Sequence, residues 1–255
     1  ITMNDLLTHK EFQSIAKNIN YPSNHFINGG FKKSLGKETI NNIDPNTNKI
    51  INKLHCSNEK DLDLAVLKSR EAFEDGRWSR LHPSERKNIL IKLCKLIERN
   101  KNELCVLECI DSGKPIRDII TIDLPETINA IKWHAELADK IYDQVAPVGH
   151  DAMSIIIREP VGVVGCVLPW NFPMLMLAWK IGPALACGNS IIVKPAEQTS
   201  LTSLRIAELA KDAGVPDGVF NVVLGLGNKI GKAIGLHKDI DMVSFTGSTV
   251  TGKKF

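Results

Sequence analysis

Four segments of this chain place polar residues or glycines directly after apolar runs of strand length: Pro169-Trp170-Asn171-Phe172, Lys194-Pro195-Ala196-Glu197, Gly225 to Gly231, and Thr246-Gly247-Ser248-Thr249. Lys194 and Glu197 are the sharpest pair, because they follow Ile191-Ile192-Val193, where packing asks for no charge. An ammonium donor beside a carboxylate acceptor suits the two hydroxyls of a ribose. A carboxylate there also repels a 2′-phosphate. Two unit charges about 4 Å apart at an effective dielectric of about 20 cost roughly 4 kcal/mol. The pattern therefore favours NAD over NADP; a solvated Lys–Glu pair on a loop is the plain alternative. Residues 225–231 spell G-x-G-x-x-x-G, with the last glycine one place late for the usual dinucleotide fingerprint, and a tight strand-to-helix turn explains them equally well. Gly247 and Ser248 open a helix whose first N–H groups could hold a pyrophosphate. Ser248 as a simple N-cap is compatible with that role. Asn171 is of another kind: a single amide, with Pro169 and Pro173 restricting the backbone on both sides. Capping the following helix is its ordinary use.

Other reactive residue types give weaker signals. The six cysteines, Cys56, Cys94, Cys105, Cys109, Cys166 and Cys187, include no CxxC pair. The N-terminal residues 1–7 have no signal-peptide core, so the expected setting is reducing and cytoplasmic. Cys105 and Cys109 are spaced i, i+4, a pattern that buried small thiols explain more simply than metal ligation. The seven histidines show no zinc-like spacing, and no metal site is expected. The 255 residues are 43% hydrophobic and 24% charged, enough for a large core and unlike a disordered chain. With 32 basic and 29 acidic residues the net charge is +3, too balanced to call for nucleic acid or a membrane surface. No run approaches the roughly 18 apolar residues of a spanning helix.

The four segments need a scaffold, and the hydrophobic pattern supplies one. Beyond residue 160, strand-length apolar runs at 161–168, 189–195, 218–225 and 240–248 alternate with helical stretches at 173–188, 201–214 and 228–237. The first run is continuously apolar, as a strand buried on both faces should be. Such βαβ units predict an α/β fold with a doubly wound, Rossmann-like parallel sheet. Ligands of these sheets bind beyond the carboxyl ends of the strands, so all four segments should meet at one crevice. Upstream, 1–25 reads as a frayed or helical arm. Residues 25–31 form a short apolar segment ending in a Gly-Gly turn, and 38–56 two strands around Asp44-Pro45-Asn46-Thr47. Helices are expected over 61–75, over 82–115 as one helix capped by Ser84, and over about 124–142. Residues 144–150 read as a linker and 153–160 as a strand. The last helix, opening at Gly247, meets no capping glycine or proline, which predicts a longer polypeptide.

The stretch REPVGVVGCVLPWNFPMLMLAWKIGPALACGNSIIVKPAEQTS, with GVPDGVFNVVLG and FTGSTVTGKK, resembles the NAD(P)-dependent aldehyde dehydrogenases. The resemblance runs from FINGGF to Phe255, with DPNT and DSGKP in the expected order, and is closest to members acting on γ-glutamylated γ-aminobutyraldehyde and other ω-amino or betaine aldehydes. It implies oxidation of an aldehyde to the carboxylate with reduction of NAD, through a cysteine thiohemiacetal. Asn171 would donate its amide N–H to the oxyanion; removing one such donor costs about 10²–10³ in rate. Lys180 resembles a lysine near the catalytic centre. Leu168, Pro169 and Trp170 would line the cofactor. Lys194 and Glu197 would hold the adenosine ribose, Gly225 would lie under the adenine half, and Phe245, Gly247 and Ser248 would meet the pyrophosphate. Met176 and Trp179 would wall the aldehyde channel, although their helical spacing also suits plain core. Asp123 and Glu126 could receive a substrate ammonium; a solvated helix start is the alternative. The resemblance divides the chain into an N-terminal region, 1–143, completing the cofactor domain, a linker and oligomerisation strand, 144–160, and a Rossmann-like NAD-binding domain, 161–255. A homodimer or homotetramer follows.

One departure is large. The family's nucleophilic cysteine and general-base glutamate lie beyond the FTGS helix, and no cysteine here matches the nucleophile. The 255 residues alone are expected to bind cofactor and not to turn over. Two other readings stay open: a non-catalytic dinucleotide-binding protein, and an acyl-phosphate or acyl-CoA reductase of the same fold.

Overall fold

The computed structural model describes residues 6–254; the start of the N-terminal arm and Phe255 lie outside the described residues. α1 (His9–Asn18) is set by a capping box between Thr8 and Glu11. Two hairpins follow: β1 (His25–Ile27) with β2 (Gly30–Lys32), and β3 (Thr39–Asp44) with β4 (Lys49–His55). The helical layer comprises α2 (Glu59–Glu74), α3 (Pro83–Arg99), α4 (Lys101–Ser112), the short α5 (Ile116–Asp118) and α6 (Leu124–Leu137), with a π-helical turn at Ile119–Asp123 leading into α6. A third hairpin pairs β5 (Gln144–Ala146) with β6 (Ser154–Ile156). Then the alternating units begin: β7 (Val163–Val167), α7 (Pro173–Ala186), β8 (Ser190–Lys194), α8 (Leu201–Ala213), β9 (Phe220–Val222), α9 (Lys232–Leu236), β10 (Met242–Phe245) and α10 (Thr249–Gly252).

The main sheet runs β10-β7-β8-β9-β1-β2. Its first four strands are parallel, and the β1–β2 hairpin closes the far edge antiparallel to β9. The sheet is therefore mixed, mostly parallel, where the alternation of strands and helices predicted a parallel one. The hairpin joins at Phe26 opposite Val222, and Asn28 N donates to Oδ1 of Asn221, a buried side chain of β9, at 2.8 Å. β7 and β8 are buried at every position. Their alternate residues feed two cores: Val163, Val167 and Ile192 pack on the α2 and α9 side, while Val164, Cys166, Ile191 and Val193 pack under α7 and α8. That two-sided burial is what the unbroken apolar run encoded.

Several boundaries differ from the sequence reading. The expected helix over 82–115 is two helices, broken at Asn100, whose side chain turns back to Leu96 O. His82, not Ser84, occupies its N-cap. The helix expected to reach 142 ends at Leu137. The presumed linker contains β5, paired with β6 as an exposed ribbon. The stretch 25–31 is a hairpin whose turn is Asn28-Gly29, both at positive φ, rather than Gly-Gly. No helix among the described residues is long and apolar enough to cross a membrane.

Candidate functional site

All four chemistry-bearing segments leave parallel strands at their carboxyl ends, so the fold sets them on one edge. The backbone stitches them together. Leu168 N donates to Lys194 O at 3.0 Å, joining the first and second segments, and Thr246 N donates to Val167 O at 3.1 Å, joining the fourth to the first. The chain leaves β7 toward β8 and reaches β10, on β7's other side, only at the end. The strand order thus reverses at β7, and the crevice of a doubly wound sheet lies beside such a reversal.

The segment after β7 is held from both directions. Pro173 takes the first position of α7, where no N–H is needed, and Phe172 stands at the N-cap without a side-chain bond to the helix. Asn171 is exposed and is not the cap, which removes the capping alternative. Lys114 Nζ lies 3.5 Å from the centre of the Phe172 ring, a cation–π contact beside the amide. At the other end of α7, Trp78 Nε1 donates to Leu185 O at 3.0 Å and Arg86 Nε to Ala186 O at 3.2 Å. Leu168 is buried, Pro169 half-buried, and Trp170 exposed. On α7, Met176 is buried, so packing suffices to explain it; Trp179 is 56% exposed, and packing does not. Lys180 is half-buried, and burial pulls its pKa down, opposed by Cys166 nearby.

Lys194 ends β8 with its side chain buried, and its Nζ donates to Glu197 Oε2 at 3.0 Å. Burial lowers the lysine's pKa and Glu197 pushes it back up. The pair is therefore not the solvated surface pair of the plain alternative. Gly227 is exposed, and a Cβ built there would sit 4.0 Å from Lys194 Nζ. Gly225 corrects an expectation. It is buried at φ +141°, and a Cβ would come within 2.9 Å of Ile230. Gly225 serves the turn, and the glycine open beside Lys194 is Gly227, two places on. The signal was in the sequence: G-x-G presents two candidates, and spacing alone does not say which is buried. In the fourth segment, Ser248 Oγ accepts from Thr251 N at 3.2 Å as the N-cap of α10. Gly247 lies against the Phe245 ring, where a Cβ would be 2.3 Å away.

Asp123 is a second correction. Its carboxylate is buried and paired with Lys114 Nζ at 2.6 Å, within the helical layer. An already neutralised, buried carboxylate is neither a receptor for a substrate ammonium nor a solvated helix start. Sequence reasoning missed Glu108 and Asp111 on α4, both buried. Burial pushes each carboxyl up to about 7, against the hydrogen bonds each accepts.

Burial raises the thiol pKa of all six cysteines, pushing Cys166 up to about 12 and Cys94 up to about 11. Cys187 is exposed, yet its thiol pKa is still raised, with Arg86 opposing. Among the described residues no three His, Cys, Asp or Glu gather as metal ligands. A cavity of about 410 Å³ borders this edge, lined in part by Trp170, Gln198, Thr199 and Asp111.

Comparison with known proteins places this edge in a family. Residues 31–255 match the model of the aldehyde dehydrogenase family. The aminoacetaldehyde dehydrogenase of Pseudomonas aeruginosa is 54% identical over 253 residues, covering 99% of this chain and 51% of that protein. The NADP/NAD-dependent aldehyde dehydrogenase PuuC of Escherichia coli is 47% identical, covering 90% of this chain and 46% of its own length. A crystal structure of an indole-3-acetaldehyde dehydrogenase complexed with NAD+ superposes with a TM-score of 0.96 at 43% identity, over 98% of this chain and 50% of that one. The chain spans about half the length of the curated relatives it matches. It belongs to the aldehyde dehydrogenase family.

Proposed function

We propose that these residues form the cofactor-binding portion of an enzyme that oxidises an aldehyde, of the ω-amino or γ-glutamylamino class, to its carboxylate. The observation that carries the reading is the buried Lys194 ammonium, paired with Glu197 and facing the open Gly227 at the carboxyl edge of the sheet. A charged lysine is costly to bury, and Glu197 alone leaves it spare donors. A ribose diol laid across the pair accepts a hydrogen bond from one of those donors and donates one to the carboxylate. NAD fits this edge, and when bound it supplies the hydride acceptor. Trp170 and Leu168 wall the nicotinamide side, Ser248 and the N–H groups of Gly247 serve the pyrophosphate, and Gly227 lets the adenine half approach. Asn171, held by Pro169 and Pro173, donates to the oxygen that becomes negative when a thiolate adds to the aldehyde. The raised thiol pKa values support a nucleophile other than these six cysteines. Met176, Trp179 and Lys180 line the approach for the aldehyde. The amino-aldehyde class rests on the resemblance and on the names of the relatives.

The chain's apolar β5–β6 ribbon supports a homodimer or homotetramer. Its free thiols suit the reducing cytoplasm. The test is NAD binding to the natural full-length protein, followed by tryptophan fluorescence, together with NADH formation from a panel of ω-amino, γ-glutamylamino and simple aliphatic aldehydes. Saturable binding that Lys194→Ala weakens about tenfold or more, with turnover favouring the amino-aldehydes, is expected. Unchanged NAD binding in Lys194→Ala would overturn the reading.

A further inference from the structure

We propose that α4 carries the positioning residues of this edge: Glu108 fixes the Asn171 segment through the start of α7, and Asp111 fixes the Glu197 segment through the start of α8. The inference rests on the proposed function and goes beyond it, because neither carboxylate touches substrate or cofactor. Glu108 and Asp111 are one turn apart, so they share a face of α4. Each reaches the N-terminus of a different helix. Glu108 Oε1 accepts from Met174 N at 3.0 Å, the first free N–H of α7 after Pro173, and Glu108 Oε2 accepts from Thr202 Oγ1 on α8 at 2.8 Å. Asp111 Oδ2 accepts from Leu201 N at 2.8 Å, the first N–H of α8, and Asp111 Oδ1 accepts from Asn42 Nδ2 at 2.6 Å.

Neither helix caps itself. Phe172 cannot, and Ser200, at the N-cap of α8, makes no side-chain bond to its helix. The caps come from α4 instead, and both capped helices begin where a cofactor-edge segment ends. Asn171 lies three residues before Met174, and Glu197 four before Leu201. Lys114, two residues past the end of α4, adds the contact to the Phe172 ring and is itself held by Asp123. The DSGKP segment thereby acquires a purpose that packing alone does not give it. Its charges and Glu108 lock two functional segments to one rigid helix. A donor displaced by about 1 Å costs on the order of 10²-fold in rate.

The test uses the natural full-length protein, with NAD affinity and the kcat for γ-aminobutyraldehyde measured on each variant. Glu108→Ala is expected to lower kcat about tenfold or more while NAD affinity stays within about twofold. Glu108→Gln is expected to restore most of kcat, since its amide oxygen still accepts from Met174 N. Asp111→Ala is expected to weaken NAD about fivefold with kcat at saturating NAD little changed. A merely structural role would lower both quantities together, and that result, or wild-type kinetics in Glu108→Ala, would overturn the assignment. Should Glu108→Ala fail to fold, Thr202→Val carries the same test, removing one donor to Glu108 with little change of shape; equal losses of kcat and affinity there would overturn it. A wild-type protein that neither binds NAD nor oxidises the aldehyde overturns the proposed function, and the positioning role with it.

Discussion

Glu197 does two jobs that pull against each other. Its carboxylate pairs with Lys194 at 3.0 Å, so part of the charge that would repel a 2′-phosphate is already neutralised. The repulsion read from the sequence is thus an upper bound. Glu197→Gln is expected to raise NADP affinity about tenfold relative to NAD, measured as the ratio of the two dissociation constants; an unchanged ratio would show that discrimination lies elsewhere. Asn171 faces the opposite situation. It is exposed, has no cap to make, and sits on a backbone that two prolines restrict. Asn171→Ala is therefore expected to lower kcat by about 10²–10³ and to leave NAD affinity near the wild-type value. Stopped-flow and steady-state NADH formation would check it. Both residues were legible in the sequence because each is a polar group placed where packing does not ask for one. Glu108 and Asp111 were not. On a helix rich in charge they look like solvent-facing carboxylates, and only the fold brings helix N-termini onto them.

At the scale of elements, the two glycines of the third segment separate turn from site. Gly225 is at φ +141° with Ile230 in the way of any side chain, so Gly225→Ala is expected to lower the thermal midpoint by several degrees, roughly 1–3 kcal/mol. Gly227 meets nothing closer than Lys194 Nζ, so Gly227→Val should fold normally and weaken NAD binding. The reverse pattern would restore Gly225 as the cofactor glycine. α4 supplies a pH test. Burial raises Glu108 from 4.5 to about 7 and Asp111 from 3.8 to about 7, with Asp123 adding to the shift at Glu108. Within this window the folded state holds protons that the unfolded state has released. Stability from these groups is therefore full below the unfolded values and declines as pH rises toward about 7, by a few kcal/mol. Asp123, paired with Lys114, faces Glu108 throughout, and the N–H groups of Met174 and Leu201 limit the loss by favouring the charged forms. The urea midpoint of Glu108→Gln should gain on wild type as pH rises from about 5 to about 8; a constant difference would contradict it. The strand–helix alternation of 161–248 was readable because buried strands and capped helices leave local patterns. The break at Asn100 and the pairing of β1 with β9 were not, since apolar residues continue on both sides of Asn100 and the pairing joins Phe26 to Val222, far along the chain.

At the scale of the whole molecule, the third hairpin exposes apolar side chains that the core does not use. β5 and β6 form a two-stranded ribbon outside the main sheet. Val145 and Ile155 stand directly opposite each other, and Met153 and Ile157 flank β6. These four side chains are between 55% and 77% exposed. A two-stranded ribbon is marginal in water by itself, and an apolar face on it invites a partner. The net charge of +3 on 255 residues offers little repulsion against self-association. A second copy is the simplest partner, because soluble assemblies are mostly symmetric homo-oligomers. The ribbon is a sheet separate from the one that carries the cofactor edge, so breaking the assembly should spare the site. Ile155→Lys places a charge in the middle of the apolar face and is expected to shift the full-length protein to a smaller species by light scattering, while NAD affinity stays within about twofold. An unchanged mass in Ile155→Lys would assign the interface to another surface and leave the exposed ribbon without an account.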